Sequence, residues 1–199
     1  MRRAILLLLL TASSAAALDE MTVYELLDPS SHRFRIRYDV SATDSGATFF
    51  FNIIRPGSVA SDEKVISRAD GRELDFELAD IQAARAAGQA GSDPPENTRF
   101  IKVKLPRPVP KDGEVRLRIF KTYLDPKSYF VDGDQIIFER SLGIHRNVVL
   151  LPASHELIAS SVPVIVTREA DGRIKISMVN DRDDELAVRI VGRRLAEAK

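Results

Sequence analysis

The chain has no cysteine and no tryptophan among its 199 residues. Without cysteine there is no disulfide, no thiol nucleophile and no lipid attachment at a leader-proximal cysteine. Without tryptophan, the usual stacking residue of carbohydrate-binding surfaces is missing. Charge of one sign is not in excess either. The 29 basic residues match the 29 acidic ones, which gives no electrostatic reason to expect nucleic acid or an anionic membrane surface as partner. Beyond residue 10 no apolar run approaches the ~20 residues that a membrane-spanning helix needs.

What is present starts at the N-terminus. Met1-Arg2-Arg3 is basic, residues 4–10 are apolar with five consecutive leucines, and Ala15-Ala16-Ala17 offers a small-x-small cleavage site. This order predicts a secretory signal peptide over residues 1–17, export to the periplasm or beyond, and no stable membrane insertion after cleavage. The remaining chain has 27 basic residues (29 less Arg2 and Arg3) against 29 acidic ones. About 180 residues suffice to bury a core without covalent staples.

The remainder reads as strands. In HRFRIRYDV (residues 32–40), Phe34, Ile36, Tyr38 and Val40 alternate with Arg33, Arg35, Arg37 and Asp39, the period-two pattern of a half-buried strand. ATFFFNII (residues 47–54) is more continuously apolar and suits a strand covered on both faces. Asp44-Ser45-Gly46 between them predicts a hairpin. Residues 63–67 and 73–78 flank Ala69-Asp70-Gly71-Arg72, a second hairpin signal. FIKVKL (100–105) alternates, and so does EVRLRIFKT (114–122), where Val115, Leu117 and Ile119 are set against Arg116, Arg118 and Lys121. Strand patterns continue at 129–131, 135–139, 146–151, 162–168, 173–179 and 186–191.

Turn signals at such short spacing predict an all-β antiparallel sandwich of two packed sheets and about ten to twelve strands. At most one short helix is expected near residues 78–90, followed by the exposed loop 89–97. The domain is read as residues 18–192, with a possible division into two sub-sandwiches near 140, and 193–199 as a short polar tail.

Chemistry-bearing residues are sparse. His155-Glu156 begins like the zinc-protease pattern His-Glu-x-x-His, but Ala159 stands where the second histidine belongs, in a β context where the motif needs a helix. The weak catalytic candidates are therefore His145, His155 and Glu156, with His32 the remaining imidazole. Asp181, Asp183 and Asp184 are oxygen-rich but lack calcium-loop spacing and read first as a solvated turn. Tyr123, Tyr129 and Phe130 gather around Leu124-Asp125-Pro126-Lys127 and are the candidate binding aromatics. Gly-x-Ser-x-Gly is absent, and no cofactor is expected.

The opening Val23-Tyr24-Glu25-Leu26-Leu27-Asp28-Pro29 through HRFRIRYDV, with the later LPASHELIASSVP, resembles the N-terminal β-saddle domain of gluzincin aminopeptidases. FFFNIIRPGS together with RSLGIHRNVVLLP resembles exported bacterial proteins of unassigned function. The first resemblance spans nearly the whole chain after the leader and implies a domain that packs on a catalytic partner and borders its substrate cleft. It reaches no catalytic segment, so it carries no catalytic residue over. The expected function is an exported non-catalytic binding or accessory module for a protein or peptide partner. The alternative is an exported hydrolase or metal-dependent enzyme using His145 or His155 with Glu156.

Overall fold

The computed structural model describes residues 20–91 and 94–195; the expected leader and the last residues of the tail, 196–199, lie outside them. The described chain is all-β with one short helix, as expected. Its sheets number three and its strands fourteen.

The largest sheet has seven strands. Its centre is β1 (Met21–Leu26) and β2 (Arg33–Ala42), joined by a short 3-10 turn that the Asp28 side chain caps by accepting the Ser30 N–H. β2 continues outward to β7 (Val115–Leu124) and then to β4 (Val59–Ser67). On its other side β1 pairs with β10 (Arg146–Leu150), then β13 (Ile174–Val179), then the edge strand β12 (Ile165–Arg168). The β1–β10 pair is parallel, a long-range pairing inside an otherwise antiparallel ladder.

Two smaller sheets cover the inner face of this large one. A four-stranded sheet of β11 (His155–Ser160), β14 (Leu186–Arg194), β9 (Gln135–Leu142) and β8 (Tyr129–Asp132) buries Tyr24, Phe34, Phe138, Val149, Ile176 and Ile190 between the layers. Its β8–β9 hairpin turns through Gly133 at φ 61, a conformation glycine adopts without strain. A three-stranded sheet of β3 (Phe49–Ile54), β6 (Arg99–Lys104) and β5 (Phe76–Asp80) covers the β7–β4 end, over Val40, Val65, Ile101, Val103, Leu117 and Ile119. Each fully buried side chain of this size contributes about 1.5–3 kcal/mol.

The helix α1 (Ile81–Ala86) starts where the Asp80 side chain accepts the Ala83 N–H, inside the 78–90 stretch. It seals the outer side of the small sheet with Ile81 and Ala84 on Phe51 and Phe100. That is why 47–54 lacks alternation: Phe51 is buried under α1, and Asn52 is buried on the other side of the strand.

Both expected hairpins resolve differently. β2 and β3 belong to different sheets, because the turn after β2 leads the chain across layers, where the Gly46 N–H donates to Val109 O and the Val109 N–H to Ala47 O. The second turn closes locally, with the Leu74 N–H bonded to Val65 O, and the chain then leaves β4 to join β6 as β5.

Candidate functional site

Period-two parity places two cations where apolar residues are expected. On β7 the inward row is Val115, Leu117, Ile119, Lys121 and Tyr123, all buried. Lys121 belongs to that row, not with Arg116 and Arg118 on the wet face as expected above. Charge alone suggests an outward side chain, but an odd-numbered position in this strand faces inward. On β9 the inward row is Ile136, Phe138, Arg140 and Leu142. Arg140 lies just past the apolar stretch 135–139, and reading the parity one step further would have found it.

The two cations meet where the three sheets converge. The Arg140 guanidinium lies 5.4–5.9 Å from the ring centroids of Tyr24, Phe34 and Tyr123, the range of a cation–π contact. Its counter-ion is Asp125 at 3.1 Å, both side chains being less than a tenth exposed. Asp125 sits in the turn flagged by its aromatic neighbours. Its Oδ2 also accepts the Ser58 hydroxyl at 2.9 Å and the Ser128 hydroxyl at 2.8 Å, while Oδ1 accepts the Lys127 and Ser128 N–H groups. Burial alone would raise the Asp125 carboxyl, but the hydrogen bonds from Ser128 and Ser58 and the charge of Arg140 outweigh it and hold it below the usual carboxylate range.

Lys121 has no such counter-ion. Its ammonium donates to Asn52 Oδ1 at 2.7 Å and to Ile53 O at 3.1 Å, both neutral, and stands 4.9 Å from the Tyr123 ring centroid. Burial, with the neighbouring charge of Arg140, lowers it from 10.5 to about 7, and Glu63 gives only a weak opposing pull. The Tyr123 hydroxyl, which accepts the Arg55 N–H at 3.0 Å, is pushed up to about 12 by burial. A perturbed lysine beside a cavity is a functional-site signal of the kind catalysis and ligand binding exploit.

The residues singled out from sequence are scattered. Tyr123 and Tyr129 are buried, the Tyr129 hydroxyl donating to Leu27 O at 2.8 Å, and Phe130 is half-buried. Tyr123 alone borders the cation cluster. His145 precedes β10 and exchanges two hydrogen bonds with Asn180: its Nδ1 lies 2.8 Å from Asn180 O, and its own carbonyl accepts the Asn180 N–H. His155 opens β11 in another sheet, with Nδ1 2.9 Å from Ala153 O; His32 Nδ1 faces Tyr129 O at 3.1 Å. Glu156 accepts from Arg193 across the β11–β14 pair. A turn at Pro152-Ala153-Ser154 carries the chain from the large sheet to the four-stranded one. Asp181, Asp183 and Asp184 are exposed, and Asp184 is engaged by the Arg182 guanidinium. Among the described residues no three His, Asp or Glu side chains are grouped to hold a metal ion.

The surface carries a different feature. The two edges of the seven-stranded sheet are built unlike each other. At β4 the pairing shifts at a bulge between Ser61 and Lys64, and Asp62, Glu63 and Lys64 place charge along it. Bulges and charges are the usual means of blunting an edge against further strand pairing. At β12 all four residues are exposed, with Ile165 at 69% and Val166 at 47%, and no described strand pairs with its outer side. Beside it runs a groove of about 670 Å³ lined by Val162, Val164, Ile165, Met178, Val179 and Leu186 among others. Single exposed apolar residues are ordinary; a contiguous apolar strip along an open edge is not.

No family model matches the chain, and no curated protein matches it in sequence. Solved structures do match it in fold. A two-domain M1 zinc metallopeptidase bound to L-arginine superposes with a TM-score of 0.52 at 11% identity, over 87% of this chain and 41% of that one. The M1 zinc metallopeptidase from Deinococcus radiodurans gives 0.51 at 10% identity, with the same two coverages. These neighbours are M1 zinc metallopeptidases, matched over part of their length, so the fold implied by the resemblance is the fold observed. The chain spans about two fifths of the length of these neighbours. At this identity the likeness is one of fold.

Proposed function

We propose that the chain is a non-catalytic accessory module, exported to the periplasm or secreted, which takes an extended segment of a protein or peptide partner along β12. The supporting observation is the asymmetry of the large sheet: one edge is blunted by a bulge and charges, while the other leaves backbone and apolar side chains open. Strand addition at such an edge gains affinity from main-chain hydrogen bonds and specificity from pockets for alternate side chains. The groove beside β12 supplies such a pocket. The fold adds support, since the matching M1 structure is described as two-domain and carries this fold as part of a larger chain.

Peptides selected for binding to the purified chain test this directly. Selected sequences are expected to be extended, with apolar residues at alternate positions. They should bind the double variant Ile165→Lys, Val166→Lys at least about tenfold more weakly. Lys64→Glu on the opposite edge should leave their binding unchanged. Equal binding to the parent and the β12 variant sinks this reading.

A further inference from the structure

Lys121, Arg140 and Tyr123 border an open cleft of about 400 Å³ between the large sheet and the loop after β3. Its floor is Thr22, Tyr24, Ile36 and Tyr38 from β1 and β2; its rim includes Asn52, Ile53, Arg55, Ile144 and Glu185. Three cationic side chains thus line one cleft, against a single acidic residue, Glu185, which is solvent-exposed. Two further carboxylates touch residues of the cleft and are engaged there, and Glu63, outside its lining, exerts only a weak pull on Lys121. Asp125 holds Arg140 from behind, and Glu20 accepts the Tyr38 hydroxyl.

The cleft offers more cationic donors than acidic acceptors, a balance that suits an anion. Lys121 uses two of its three N–H donors on neutral oxygens, and the third has no acceptor among the described residues. Arg55 uses Nη1 on Ser141 O. A buried ammonium without a carboxylate partner is costly. An anion entering the cleft would give Lys121 the counter-ion that the chain itself withholds. Apolar groups of Ile36, Ile53 and Ile144 flank these donors, which suits an anion carrying a hydrocarbon body. The volume falls in the usual range for small-molecule sites, about 300–1,000 Å³.

We propose that this cleft binds a small carboxylate with an apolar body, its carboxylate meeting Lys121 and Arg55 and its hydrocarbon part lying on Ile36 and Ile53. Arg140, fixed by Asp125, adds positive potential from behind. The carboxylate belongs either to a free acid or to the C-terminus of a peptide, and the site is independent of whatever occupies β12.

Isothermal titration with phenylacetate and with its neutral analogue phenylacetamide tests the proposal. A second pair, a short phenylalanine-terminated peptide with free and with amidated C-terminus, distinguishes the two sources. At least one acid is expected to bind, with its amide weaker by about tenfold or more. Lys121→Met and Arg55→Gln should each weaken that acid by a similar factor, and the second is a half-buried position whose exchange leaves the core intact. If neither acid binds, if acid and amide bind alike, or if both variants bind as the parent does, the proposal is wrong. Binding by the free acid alone assigns the site to a metabolite; binding by the free-ended peptide alone assigns it to a chain terminus.

Discussion

Replacing Asp125 with alanine is expected to destabilise the fold by about 3–5 kcal/mol, which for a domain of this size lowers the melting temperature by roughly 10 °C. The cause is the partner left behind. Arg140 is enclosed by Tyr24, Phe34 and Tyr123, and the carboxylate at 3.1 Å is its counter-ion. Removing that carboxylate strands a guanidinium in the core and also frees the Ser58 and Ser128 hydroxyls and the Lys127 and Ser128 N–H groups. A second variant separates this from simple loss of packing. In the double exchange Asp125→Ala, Arg140→Met neither charge of the pair is left, and much of the loss should return. Chemical denaturation of the three chains reads both numbers. A single-variant loss within about 1 kcal/mol of zero would mean that the pair is not the anchor described.

The second large effect is a pH dependence with the same sign as acid denaturation by carboxylates, but set in the neutral to alkaline range. Lys121 is lowered in the folded chain from 10.5 to about 7 by burial and by Arg140. Below about pH 7 it is charged in both states, so the cost of burying the ammonium is present in full. As pH rises through 7 the folded chain releases the proton, while the unfolded chain keeps it until near 10.5. The unfolded state then binds more protons, so stability climbs with pH across this window. The stability of the parent relative to Lys121→Met should therefore improve by about 3–4 kcal/mol between pH 6 and pH 10, at 1.36 kcal/mol for each pKa unit. Taking the difference between the two chains removes the other titrating groups to first order. A difference that does not change with pH would mean that Lys121 reaches water in the folded protein.

How much of this was legible depends on the range of each interaction. Strand existence was local: the alternation in 32–40, 100–105 and 114–122 became β2, β6 and β7 almost as written. The one short helix expected near 78–90 became α1 within that stretch. Partner choice was not local. Asp44-Ser45-Gly46 is sound turn chemistry, yet β3 pairs with β6, some fifty residues on, because its buried Phe51 and Asn52 are used in different layers. No turn signal could encode the parallel β1–β10 pair, whose strands lie more than a hundred residues apart. The candidate site was missed for another reason. Histidines and aspartates drew attention by type, whereas the residues that break the inward rows are Lys121 and Arg140. An arginine or lysine in phase with isoleucine and phenylalanine is the readable signal, and it needs no homologue.

That this domain works by contact and not by metal-dependent hydrolysis is tested most directly by the metal content of the purified chain. His145 precedes a strand of the large sheet and His155 opens one of the four-stranded sheet, and each turns Nδ1 to a backbone carbonyl. Glu156 is paired with Arg193. Elemental analysis after purification without chelator should find zinc far below one atom per chain, unchanged by His145→Ala or His155→Ala. Stoichiometric zinc that disappears in either variant would contradict the account and turn attention to hydrolysis.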